Sequence, residues 1–141
     1  MGMYTELILG ARLSKNTPEV CIKALDHVIN GKKTESDEVK KFIDEYSLYC
    51  LFFCSSYYFG VCKSNQHFWR DVISGTWHIS TRANLKNYDG EIEKFLNYIK
   101  HYIESGSGYS EIYAFVIYEE DRMPKIYSLK PLDEIDDDPM I

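Results

Sequence analysis

Apolar and polar positions alternate over residues 4–13. Leu7, Leu9, Ala11 and Leu13 take one face and Tyr4, Glu6 and Ile8 the other, which predicts a half-buried β-strand. The period then lengthens. Thr17-Pro18 opens a helix, with Thr17 as its cap and Pro18 in its first turn. Cys21, Ala24, Leu25 and Val28 recur at i, i+3, i+4 and i+7, so the helix carries one apolar stripe. Asn30-Gly31 ends it, with Gly31 in the left-handed conformation. Residues 32–45 read as an insertion in which Ser36-Asp37-Glu38 caps a short helix bearing Val39, Phe42 and Ile43. The nearly unbroken apolar run at 48–54 predicts a strand covered on both faces, with Cys50 and Cys54 on one side. Ser55-Ser56 then makes a turn, and 57–62 returns as the second strand of a hairpin. Residues 63–75 are a connector, where His67-Phe68-Trp69 and Val72-Ile73 suggest a helical turn at the sheet edge.

The same order follows again. Residues 76–82 alternate as a strand, and 83–88 read as a loop. A helix starting near Asp89 places Ile92, Phe95, Leu96, Ile99, Tyr102 and Ile103 on one stripe, and Gly106-Ser107-Gly108 stops it. Residues 111–119 form a strand apolar on both faces, Asp121-Arg122-Met123-Pro124 turns the chain, and 125–129 returns. The expectation is an α+β fold, a largely antiparallel sheet built from two βαββ halves (4–62 and 76–129) with two main helices on one face. It forms a single domain over 1–132, followed by an acidic flexible tail at 133–141.

Composition narrows the function more than it defines it. At 141 residues, 45% hydrophobic and 27% charged, the chain is long enough to bury a core without disulfide or metal. A net charge of −6 argues against direct nucleic-acid binding, which needs clustered Lys and Arg. The block Asp133-Glu134-Ile135-Asp136-Asp137-Asp138 reads as a solvated terminus, with mimicry of phosphate in a partner's basic groove as the alternative. Cys21, Cys50, Cys54 and Cys62 make no CxxC pair, and the opening residues have no basic n-region. A cytoplasmic protein with free thiols is expected, with no membrane association and no metal or other cofactor.

Candidate chemistry is sparse. His78-Ile79-Ser80-Thr81 resembles the His-x-Ser/Thr motif of the two-histidine phosphoesterases. Those enzymes need a second such motif, and none of His27, His67 and His101 supplies one. Arg82, Asn84 and Lys86 are expected to leave a strand just before a helix N-terminus, where an anion would be favoured; a neighbouring carboxylate for Arg82 is the plainer reading. Tyr57, Tyr58 and Phe59 beside Gly60 suggest an aromatic groove completed by Trp77, Tyr113 or Tyr127, against ordinary packing as the alternative. Glu119-Glu120-Asp121 reads as a solvated hairpin tip.

Two resemblances add context. The doubled element order is similar to that of the gyrase-inhibitor-like and SOUL-type domains, which implies a ligand groove between the halves. The stretches at 57–61, 77–88 and 103–108 resemble a family of small bacteriophage and mobile-element proteins without an assigned activity. That second resemblance implies a non-enzymatic accessory protein that binds a bacterial host protein, plausibly a defence component. The alternatives are a binder of a small anionic or aromatic ligand, with Trp77, Tyr58 and Arg82 lining the groove, and a phosphoesterase using His78. Strands apolar on both faces also predict a homodimer that covers the remainder.

Overall fold

The computed structural model describes residues 4–53, 66–87, 89–105 and 111–134. Cys54 at the end of the expected 48–54 strand, the turn at Ser55-Ser56, the return strand at 57–62 with Tyr57, Tyr58 and Cys62, the stop at 106–108 and the tail from 135 onward lie outside them. The fold is α+β. Among the described residues, five strands, β1 (Thr5–Leu13), β2 (His67–Arg70), β3 (Trp77–Leu85), β4 (Ile112–Tyr118) and β5 (Lys125–Ser128), form one antiparallel sheet in the order β2-β3-β1-β4-β5. The helices among the described residues are α1 (Glu19–Asn30), α2 (Asp37–Glu45), α3 (Leu48–Phe53) and α4 (Glu91–Ile99), with short 3-10 turns at Lys100–Tyr102 and Leu132–Glu134.

Strand alternation splits the sheet into two faces. Leu7 and Leu9 of β1 stand beside Ala83 and Thr81 of β3 and beside Val116 and Ala114 of β4. This inner face joins Leu25 and Val28 of α1, Phe42 of α2, Leu51 and Phe52 of α3 and Phe95 and Leu96 of α4 in one buried core. Each such side chain contributes roughly 1.5–3 kcal/mol by leaving water. Three of the 12 tyrosines are structural: Phe42, Tyr46, Tyr98 and Tyr102 meet in successive ring contacts 4.7–5.4 Å apart, flanked by Phe95 and Phe52. Among the described residues, no helix is long and apolar enough to cross a membrane.

Several expectations are corrected. Residues 48–53 are helical, not a strand. Leu48, Leu51 and Phe52 are buried at helical spacing, while Tyr49 and Cys50 face outward. A run apolar at every position hides its period, so the neighbours decide. Ser47 at φ 51° turns the chain out of α2, and its carbonyl accepts from the N–H of Cys50 and Leu51, which nucleates α3. The first half is therefore not strand-helix-strand-strand over its described residues, and α3 joins the helical layer as a member that was not expected. The connector contributes a strand, β2, rather than a helical turn. Phe68 and Trp69 stack on Trp77 and His78 across the β2–β3 pair at 4.5 and 4.2 Å. β3 runs on to Leu85, because Ala83 and Leu85 continue its buried face. Thr17 does not cap α1. Its hydroxyl donates to the carbonyl of Ser14, and Pro18 takes the cap position. Gly31 is left-handed and Ser36 accepts from Val39 N–H, both as the pattern predicts.

Candidate functional site

The other face of the sheet carries Glu6, Ile8, Gly10 and Arg12 of β1, His78, Ser80, Arg82 and Asn84 of β3, and Phe115 and Ile117 of β4, by alternation and register. None of its apolar members belongs to the helical core. A depression of about 420 Å³ opens on this outer face, lined by Ile8, Gly10, His67, Ser80, Arg82 and Phe115 among others. That is the size of a pocket for a small organic molecule.

Its floor is Gly10 paired with Ser80, the two smallest residues that β1 and β3 present on this face. Glycine inside a strand costs about 0.5–1 kcal/mol relative to alanine. Nothing in the backbone requires it, since Gly10 is not among the glycines of positive φ. Nothing in the packing requires it either, because a β-carbon there would meet no atom within 4 Å. What the glycine provides is room above the sheet.

Beside the floor, the Arg82 guanidinium donates from Nε to Oε1 of Glu6, a carboxylate only 2% exposed. A carboxylate this buried must be paired, so Arg82 is committed first to Glu6 and the pair is neutral as a unit. Asn84, 1% exposed and opposite Glu6, has neither amide atom hydrogen-bonded. At the far end of the same face, Arg12 Nε donates to His78 Nε2 at 3.2 Å, and an Arg12 terminal nitrogen reaches Asp71 Oδ2 at 3.2 Å. Trp69 lies flat on the His78 ring, 5° from parallel. Burial, and then the charge of Arg12, hold the His78 pKa below its ordinary 6.5 against the opposing pull of Asp71. An imidazole accepting at Nε2 is neutral, which agrees.

These placements revise the expected site. Trp77 and Arg82 are five residues apart on one strand and so lie on opposite faces: Trp77 packs toward the core beside Phe68, and the groove expected between them does not form. Arg82 and Asn84 are inside β3 rather than in a loop before a helix. Lys86 follows the strand, with its ammonium 5.7 Å from the Tyr4 ring centre. The N-terminus of α4 is served by Asn87, which accepts from Ile92 N–H and donates to the Glu93 carboxylate. His78 shares the outer face with His67 of the neighbouring strand, but Trp69 covers its ring and Arg12 occupies its Nε2. Tyr57 and Tyr58 lie outside the described residues. Sequence reasoning missed Gly10, His67, Ser80 and Phe115. Only Gly10 left a signal, as a glycine inside an alternating run.

Comparison of the chain with protein-family models, with curated proteins and with solved structures gives no match.

Proposed function

We propose that the protein works by binding, and that the depression over Gly10 and Ser80 receives a small ligand with a flat apolar body. Phe115 and Ile8 supply apolar walls, while Ser80, His67 and the Arg82 guanidinium supply polar edges. The observation that carries this reading is Gly10, a residue unfavourable for its strand and unneeded by its neighbours.

The test fills the space without disturbing the fold. Gly10→Phe places a ring in the depression, and better strand propensity raises stability by about 0.5–1 kcal/mol. Native mass spectrometry of protein recovered gently from bacterial lysate should show an added mass of small-molecule size on the wild type. Gly10→Phe should lack that mass and melt no lower. A bare wild-type chain, or ligand kept by Gly10→Phe, sinks the proposal. A bacterial host protein carried in place of the small mass would favour the accessory-protein reading.

A further inference from the structure

The turn between β2 and β3 presents its two aliphatic side chains to solvent: Val72 is 82% exposed and Ile73 95% exposed. Trp69, just below them, is 52% exposed. Side chains of this kind at the apex of a convex turn have no hollow of their own to fill. The turn's backbone, by contrast, is closed on itself. Asp71 N–H donates to the Thr76 carbonyl at 2.8 Å and Gly75 N–H to the Asp71 carbonyl at 2.8 Å. Ile73 N–H donates to the Asp71 carboxylate at 2.9 Å, and Thr76 N–H to the Ser74 hydroxyl at 3.3 Å. The Ser74 and Thr76 hydroxyls also bond each other at 2.6 Å. The turn's N–H donors at Asp71, Ile73, Gly75 and Thr76 are thus satisfied internally, as a loop near an apolar medium requires.

Cations flank the tip. The Arg70 guanidinium and the Lys15 side chain converge beside Gly75, 3.6 and 3.7 Å from where a β-carbon would stand. Neither makes an ion pair among the described residues. The turn's own carboxylate, Asp71, is engaged by Arg12 and by the Ile73 N–H, so Lys15 and Arg70 are left to meet an anionic surface, and tryptophan is the side chain best suited to the level of lipid headgroups.

We infer that the β2–β3 tip docks the protein on an anionic lipid surface, with Val72 and Ile73 entering the headgroup–acyl boundary and Lys15 and Arg70 meeting lipid phosphates. A bilayer is favoured over a protein partner because two aliphatic side chains stand almost wholly outside the fold at the tip of a turn, with two cations beside them. The helices that are too short to span say nothing against docking. This inference is independent of the ligand depression, which lies farther along the outer face.

Full-length protein is sedimented with vesicles of phosphatidylcholine alone or mixed with phosphatidylglycerol. Binding should appear on the mixed vesicles and weaken with salt. It should fall by roughly fivefold for each of Lys15→Gln and Arg70→Gln. The double change Val72→Ser with Ile73→Ser should abolish it without altering the melting temperature, because both side chains are exposed. Tryptophan emission should shift to the blue on vesicles, but not in Trp69→Phe. The inference is overturned by no binding to mixed vesicles at low salt, or by binding that survives the double serine change. It is equally overturned if the tip captures a host protein and no vesicle.

Discussion

At the scale of single residues, His78 shows how a side chain with ordinary chemistry is committed by its neighbours. Arg12 Nε needs an acceptor at Nε2, which favours the neutral imidazole, and Trp69 covers one face of the ring. Burial and Arg12 hold the folded-state pKa below 6.5, so the unfolded chain takes up a proton first as pH falls. The stability this supplies is therefore complete above that value and drains away as pH drops below it, at no more than about 1.4 kcal/mol per pH unit for one proton. Urea unfolding between about pH 7.5 and about pH 5.5 should show the loss in the wild type. His78→Phe keeps the stack and removes the titration, so its midpoint should change less; equal losses in both would refute the assignment. Asp71 adds a second loss at lower pH, because backbone N–H donors hold its carboxyl below its ordinary value. Cys21 needs no such test: burial pushes its thiol up to about 12, which leaves it inert as a nucleophile at neutral pH.

At the scale of elements, α3 decides between two readings of the same apolar run. A strand covered on both faces would penalise every truncation along it. The helix buries Leu48, Leu51 and Phe52 and leaves Tyr49 and Cys50 outside. Leu51→Ala should cost about 2–5 kcal/mol in urea unfolding, while Cys50→Ala should stay within about 0.5 kcal/mol. Comparable losses from both would return the segment to a strand. The rest of the legibility follows the same physics. β1, α1, α2 and α4 were readable because polar and apolar residues mark their period, and β4 and β5 because β-branched and aromatic residues flank a turn at Asp121-Arg122-Met123-Pro124. β2 was not, since one buried residue in four leaves no period to read. The candidate site was mostly unreadable because register assembles it. Arg12 and His78 are partners across 66 positions, and Gly10 meets Ser80 only once β1 and β3 align. Parity along β3, which separates Trp77 from Arg82, was visible in the sequence and outweighs any pairing of the two by residue type.

At the scale of the whole molecule, the sheet order sets what depends on what. β1 lies at the centre with β3 on one side and β4 on the other, while the short strands β2 and β5 hold the two edges. The core residues Leu7 and Leu9 are flanked only when both Ala83 and Val116 have arrived. Removing residues from 111 onward takes β4 and β5 away and leaves β1 with a long apolar open edge. Such a truncated chain should be recovered as aggregate rather than as a smaller folded unit. A soluble, cooperatively melting product would show that β1 and β3 suffice.

The central place of β1 also has a consequence in time. β1 is made before either of its neighbours and waits about a hundred residues before both its sides are closed, since its second neighbour begins at Ile112. Contacts of that sequence separation form slowly, and the growing chain carries an adhesive ribbon until β4 has been made. Translation speed and chaperone access therefore bear on the yield of this protein more than a survey of its finished contacts would suggest.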